Sequence, residues 1–338
     1  MPGSDRPDRL KAAFIVKDPH SILIIKPSSL GDVVHTLPAL ACVRKRWPAA
    51  KIRWLVNPEW APILEDNPDI DEVIDFPRSR FCGLAGWARL PAWIRGLRER
   101  AQPDLVLDFQ GLLRSALVAR FACRIGGESW GTADSRECAR FFHHQIVSVP
   151  PRSEPVHAVK RYLALVAGLG CDVSEPLEWR LPAGTQPPGC PRDFVLLHPF
   201  SRGEGKSLTA EELATICKDL SPTKIVIAGR SDTAISPGPN VVNLLNKTTL
   251  HELCWLLRHA AFVISVDSGP MHIAAAVSAN LLSIHTWSDP RKVGPFNPGA
   301  WIWKDGKIGR MADYPNAAAV PRNALGRWLA EKIARPAA

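Results

Sequence analysis

Three segments of this sequence carry side chains whose types and spacing suit a phosphorylated ligand. The first, Lys26-Pro-Ser-Ser-Leu-Gly-Asp32, sets two hydroxyls, a glycine and a carboxylate between an apolar run and a stretch of helical periodicity. Ser28, Ser29 and Asp32 suit a helix cap, and they equally suit a polar loop facing a ligand. The second, His198-Pro-Phe-Ser-Arg-Gly-Glu-Gly-Lys-Ser207, offers a diphosphate a hydroxyl, a guanidinium, an ammonium and pliable backbone. Its tail imitates a P-loop, and the run from Phe262 to Asp267 imitates the strand and carboxylate that hold magnesium in such enzymes. A P-loop would need glycine at position 200, which is Phe, so that cradle cannot form. The third, Ser265-Val-Asp-Ser-Gly-Pro-Met-His-Ile-Ala-Ala-Ala276, ends an apolar run in Asp267 and places Pro270 where a helix begins. A tight capped turn accounts for Asp267 and Pro270. Alternatively the helix end binds an anion, with Gly269 admitting it closely and His272 pointing back into the loop.

Loops like these belong at the carboxyl ends of parallel strands, where open α/β sheets bind their ligands. The apolar runs 21–26, 52–56, 72–75 and 104–108 predict buried strands, with a helix over 33–47. Residues 171–192 interrupt the pattern with Pro176, Pro182, Pro187, Pro188 and Pro191, which reads as a linker. A second series follows, with strands at 194–198, 224–228, 241–244, 262–266 and 281–284 and helices at 210–220, 250–259 and 271–277. An amphipathic helix is expected over 322–334. The expected division is therefore an extension (1–20), one α/β domain (21–170), the linker, a second α/β domain (193–320) and a closing segment (321–338).

Composition narrows the function. The 338 residues are 46% apolar and 22% charged, the balance of a globular chain of about two domains. No run approaches the roughly 18 apolar residues of a membrane span, and the N-terminal segment lacks the apolar core of a secretory signal. The eight cysteines form no C-x-x-C pair, so they read as reduced cytosolic thiols and the protein as cytoplasmic. No G-x-G-x-x-G fingerprint is present, which argues against a dinucleotide-dependent oxidoreductase. No histidine or carboxylate set has metal-ligand spacing, the adjacent His143 and His144 included, so no protein-held metal is expected. The net charge of +9 calls for an anionic partner, and the 24 Lys and Arg against 18 acids in residues 1–170 put most of the excess in the first half.

The segment from Ile22 to Leu40, centred on Lys-Pro-Ser-Ser-Leu-Gly-Asp, and the segment from Ser265 to Ala276 together resemble the two signatures of the lipopolysaccharide heptosyltransferases, glycosyltransferase family 9. Asp108-Phe-Gln-Gly-Leu-Leu-Arg-Ser-Ala116 and Val156-His-Ala-Val-Lys-Arg161 resemble further family segments, in the family's order. The resemblance implies a GT-B fold: two Rossmann-like domains facing a central cleft, acceptor on the first and nucleotide-sugar on the second. A C-terminal helix would then pack back on the N-terminal domain. It implies inverting transfer of heptose from ADP-heptose to the lipid A–Kdo inner core, without metal or further cofactor, at the inner membrane surface.

By the same resemblance Asp32 would be the base that takes the acceptor proton. Ser201, Arg202, Lys206, Ser268 and Gly269 would hold the diphosphate, while Asp267 and His272 orient the donor. Gly229 and residues 244–249 would wall the nucleoside, with Asp232 on its ribose. Ser29, Gln110, Arg114, His157 and Arg161 would meet an acceptor rich in carboxylates and phosphates. Two departures touch the cleft: Pro270-Met271 stands where many members have Leu-Ser, and Lys26-Pro27 replaces the usual Lys-Thr. Residues 78–100 hold six arginines against Glu99, interleaved with Phe81, Trp87 and Trp93, and the apolar residues 84, 87, 90, 94 and 97 have helical spacing that Pro91 would kink or restart. They read as a core-packed helix with a basic face or as an interfacial helix meeting anionic lipid and lipid A phosphates. Two alternatives remain on these residues: transfer of another sugar to a different envelope glycan, and a nucleotide- or nucleic-acid-binding protein without catalysis. The second finds no recognisable RNA or DNA module.

Overall fold

The computed structural model describes residues 18–235, 238–314 and 316–334. Most of the expected extension, residues 1–17, and the last four residues of the closing segment lie outside that set.

In the first half, β1 (Ser21–Ile25), β2 (Lys51–Val56), β3 (Glu72–Asp75), β4 (Leu105–Asp108), β5 (Glu128–Thr132) and β6 (Gln145–Val147) form one sheet in the order β3-β2-β1-β4-β5-β6. All its pairs are parallel. The helices are α1 (Leu30–Arg46), α2 (Gly83–Ala101), α3 (Leu113–Ala122) and α4 (Ala158–Ala167). Alternation along the strands supplies two buried faces. Ile22, Ile24, Ile52 and Trp54 join α1 and α4 in a core that runs on into the second half. Leu23, Ile25, Leu55 and Val106 face α2 and α3 on the other side. Each fully buried side chain of this kind contributes about 1.5–3 kcal/mol.

The second half holds β7 (Val195–His198), β8 (Ile225–Gly229), β9 (Val241–Leu245), β10 (Phe262–Val266), β11 (Leu281–His285), β12 (Trp301–Lys304), β13 (Lys307–Arg310) and β14 (Ala318–Ala319). Its helices are α5 (Ala210–Asp219), α6 (Leu250–His259), α7 (Gly269–Val277), α8 (Pro290–Val293) and α9 (Leu325–Ala334). The sheet order is β14-β13-β12-β11-β10-β7-β8-β9, so its six parallel strands repeat the order of the first sheet. Both are doubly wound, with switch points between β1 and β4 and between β7 and β10. Residues 171–192 contain no helix or strand.

Four expectations change. The second sheet is mixed rather than parallel: β12 and β13 form an antiparallel hairpin extended by β14. Its two-residue turn, Asp305-Gly306, has φ of +51° and +75°, the backbone that Asp-Gly favours in a hairpin. The strands β5 and β6 carry no long apolar run and gain their structure from pairing beside β4. The helix α2 continues through Pro91, whose exposed position lets the ring face outward at the loss of one backbone bond. The closing helix packs on the second half, not back on the first. Leu325 and Leu329 enter the second half's core, Arg322 donates to Glu212 of α5 at 3.1 Å, and Trp328 meets Trp301 edge-on at 5.0 Å.

Candidate functional site

The site lies where the two switch points meet. Lys26 follows β1 and is almost fully buried, with Nζ donating to the Phe109 carbonyl at 3.0 Å, 3.9 Å from Asp32 Oδ1 and 4.9 Å from the centre of the Tyr162 ring. Asp32 stands on the first turn of α1, where the chain leaves the sheet. Its Oδ2 accepts from the Ser29 amide at 3.1 Å and the Ser29 hydroxyl at 2.9 Å, and its Oδ1 accepts from the Tyr162 hydroxyl at 3.0 Å. Burial pushes this carboxyl up, but Lys26, Ser29 and Tyr162 outweigh it and hold the group below the ordinary carboxylate value. Burial pulls Lys26 down against the pull of Asp32 and Asp108. Burial, with Asp32 beside it, sends the Tyr162 hydroxyl well above its usual range, so it remains a donor.

Asp32 lines two cavities. One of about 420 Å³ is formed with Ser28, Ser29, Arg78, Trp87, Gln110 and Arg114 among others. The buried carboxylate of Asp108 shapes the β4–α3 loop of that cavity by accepting from the amides of Gln110 and Gly111 and from Ser115. Gln110 Oε1 accepts from the Ser28 amide at 3.4 Å, and the Arg114 guanidinium lies 5.1 Å from the Trp87 ring. A second cavity, about 260 Å³, has Asp134, Arg136, Arg152, Arg161 and Tyr162 in its walls. Arg161 is held there by Asp134 at 2.6 Å. His157 departs from expectation. It caps α4, accepting from the Val159 amide at 3.2 Å and donating to the Gly294 carbonyl at 3.0 Å, so both ring nitrogens are spent on backbone.

Across the cleft, the loop after β7 folds against the start of α7. Ser201 Oγ donates to the Asp267 carbonyl at 3.0 Å, and Lys206 Nζ reaches Asp267 Oδ2 at 2.9 Å and the Trp287 ring at 4.3 Å. An ammonium with one donor anchored has two left for an anion. Burial raises the Asp267 carboxyl, but His285, Lys206 and Ser288 outweigh it and hold it low. Ser268 Oγ lies 3.4 Å from Ser265 Oγ and 3.5 Å from His198 Nδ1. Arg202 is exposed and crosses to the first half, 5.6 Å from the Trp60 ring. Gly229, with φ of +133°, lets the backbone pass where a Cβ would sit 3.1 Å from His198 Nε2. Asp232 stands exposed beyond β8.

Two residues of the third segment do something else. A Cβ on Gly269 would lie 2.8 Å from the Leu30 side chain, so the space expected for a ligand is filled by α1. His272 does not point into its own loop: Nδ1 pairs with His35 Nε2 at 2.9 Å, and its ring lies over Gly31, where a Cβ would meet it at 2.4 Å. The starts of α1 and α7 therefore interlock, each offering a glycine to the other's side chain. Lys26, Tyr162, His35, His285 and Trp287 went unassigned in the sequence. Lys26 and His35 lie inside the segment Ile22–Leu40, and Tyr162, one of two tyrosines, directly follows the segment 156–161, whereas His285 and Trp287 carried no local signal. Among the described residues no group of three or more His, Cys, Asp or Glu is placed to hold a metal ion.

The chain resembles known proteins in both sequence and fold. Residues 92–314 match the family model described as glycosyltransferase family 9 (heptosyltransferase). The chain is 30% identical over 303 residues to lipopolysaccharide heptosyltransferase 1 of Escherichia coli K12, an alignment covering 83% of this chain and 92% of that protein. It is 23% identical over 302 residues to the lipopolysaccharide core heptosyltransferase OpsX of Haemophilus influenzae, covering 82% of each. Among solved structures, a family 9 glycosyl transferase from Veillonella parvula superposes with a TM-score of 0.74 at 18% identity, covering 94% of this chain and 98% of that one. The E. coli heptosyltransferase WaaC with ADP gives 0.71 at 23%, covering 92% and 99%. Both share the two-domain fold.

Proposed function

The chain belongs to glycosyltransferase family 9, the heptosyltransferases, and from that premise we propose that it moves heptose from ADP-heptose to the lipid A–Kdo inner core of lipopolysaccharide. The observation that carries this reading is the hydrogen-bonded Asp32 carboxylate, which lines the acceptor-side cavity and stands on the helix interlocked with the start of α7. The first half (21–170) takes the acceptor and the second (193–320) the nucleotide-sugar, in peripheral contact with the cytoplasmic face of the inner membrane.

The acceptor hydroxyl donates to Asp32 Oδ1, whose second lone pair is not used by Tyr162. As the oxygen attacks C1 of the donor sugar from the face opposite the diphosphate, its proton passes to that carboxylate. The C1–O bond to the diphosphate breaks with inversion. Lys206, Ser201 and the backbone at Ser268 stabilise the charge that departs. Because Ser29, Tyr162 and Lys26 favour the ionised carboxylate, Asp32 stays ready at neutral pH and gives most by orienting the hydroxyl. Ser29, Gln110, Arg114 and Arg161 face the acceptor, while Arg202, Asp267 and Asp232 serve the donor side. Gly269 and His272 contribute by fixing the donor half against α1.

The test is transfer by purified protein offered ADP-, UDP- and GDP-sugars, with Asp32→Ala alongside. ADP-heptose should be preferred. The variant should lose about three orders of magnitude in turnover while calorimetric donor affinity changes less than about threefold. Preference for a UDP- or GDP-sugar removes the donor assignment, and unaltered turnover removes Asp32 as base.

A further inference from the structure

Among the described residues seven large apolar side chains stand exposed, and six of them fall between residues 84 and 146. Four are conspicuous: Leu84 at 92% exposure, Ile125 at 89%, Phe141 at 70% and Phe121 at 55%. Leu84, Phe121 and Phe141 share one layer, and Ile125 lies in the loop that leaves α3. The helices α2 and α3 pack together on the sheet face that buries Leu23, Ile25, Leu55 and Val106, and the short 3-10 turn Ala139–Phe142 packs on α3. The opposite sheet face carries α1 and α4 and meets the second half. The layer is thus the outer wall of the first half, turned away from the domain junction.

Its charge is one-sided. Ten exposed arginines lie between residues 78 and 140, against two exposed acids, Glu99 and Glu137. On the first turns of α2 the outward positions are Leu84, Ala85, Trp87, Ala88, Pro91 and Ala92, with Arg89 among them. A basic face on a nucleic-acid-binding protein has no need of nearly bare leucine and isoleucine. Apolar side chains ringed by arginine match a bilayer of anionic lipid, where the apolar groups enter the headgroup boundary and the guanidiniums pair with phosphates. The 420 Å³ cavity opens beside this wall, sharing Trp87, Arg78 and Arg114 with it.

We propose that the outer α2–α3 face, with Leu84, Phe121, Ile125 and Phe141 as inserting residues, docks the protein on an anionic phospholipid surface. The inference deepens the proposed function, since a lipid-anchored acceptor would then enter the cavity from the docked side. It enlarges the basic helix of residues 78–100 into a whole face that includes α3 and the turn behind it.

The experiment is co-sedimentation of the full chain with vesicles of phosphatidylcholine alone and with phosphatidylglycerol added. A single-stranded RNA oligonucleotide is titrated in parallel. Binding should require the anionic lipid and weaken with salt. A Leu84→Glu, Ile125→Glu, Phe141→Glu triple variant, changed only at exposed positions, should bind at least about tenfold more weakly. It should still transfer sugar to a deacylated, water-soluble acceptor at the wild-type rate. Equal binding to neutral vesicles, a triple variant that binds like wild type, or RNA binding that outcompetes the vesicles overturns the docking face. If wild type binds vesicles through these residues yet transfers no sugar to the soluble acceptor, the docking face stands and the heptosyl-transfer reading falls.

Discussion

The carboxylate proposed to accept the proton is surrounded by donors that lower its proton affinity. Ser29 and Tyr162 supply three hydrogen bonds to Asp32, and Lys26 adds a buried positive charge. The gain is direction: with Oδ2 fully engaged, Oδ1 is the atom left for a substrate hydroxyl. Removing the Tyr162 hydroxyl favours the protonated acid, so Tyr162→Phe should move the acidic limb of kcat/KM upward by about 0.5–1 pH unit. It should leave the rate at pH 8 within a few-fold of wild type. A pH–rate profile checks this, and an unmoved limb would exclude Tyr162 from tuning the base.

At the scale of elements, the contact between α1 and α7 decides the geometry of the cleft. The His35–His272 bond is buried, and His35 touches neither cavity. Replacing His35 by Phe leaves His272 Nδ1 without its partner, a cost of about 1–3 kcal/mol. His35→Phe should therefore lower the melting temperature and cut kcat about tenfold with the donor KM little changed. His35→Gln, which can restore a donor, should recover most of the turnover; steady-state kinetics and a thermal melt of both variants check the pair. This contact was not legible in the sequence, because nothing local says that His35 and His272, 237 residues apart, will meet. The strands that were legible are those with apolar runs buried on both faces, such as Ser21–Ile25 and Phe262–Val266. The strands β5 and β6 escaped because their order comes from neighbours. The β12–β13 hairpin did carry a local signal, the Asp305-Gly306 pair, among residues of the second domain to which no strand was assigned. The polar loops that build the site stood out as residue types, yet which side chain each one would meet depended on packing between the halves. His157 spends both ring nitrogens on backbone and Leu30 fills the Cβ side of Gly269, contacts that packing between the halves decides.

At the scale of the molecule, burial of neutral histidines should set its acid limit. Burial holds His157, His198, His272 and His285 at about 4, against an ordinary value of 6.5, and His35 well below that value. Above about pH 6.5 both folded and unfolded chains keep these rings neutral. Between that pH and about 4 the unfolded chain binds protons that the folded chain refuses, so each histidine removes about 1.4 kcal/mol of stability per pH unit. The melting temperature should fall steeply from pH 6.5 to pH 5, and a melt series that stays flat over that range would count against the neutral histidine cluster. Much of the net charge of +9 lies in the first half, where ten exposed arginines fall between residues 78 and 140. Across the junction itself, Gly31 seats His272 and Gly269 seats Leu30. The two halves are therefore matched parts rather than interchangeable modules. With the acceptor and donor placed as proposed, a change of sugar acceptor that reshaped the start of α1 would have to be answered on α7, which ties the two specificities to one another in evolution.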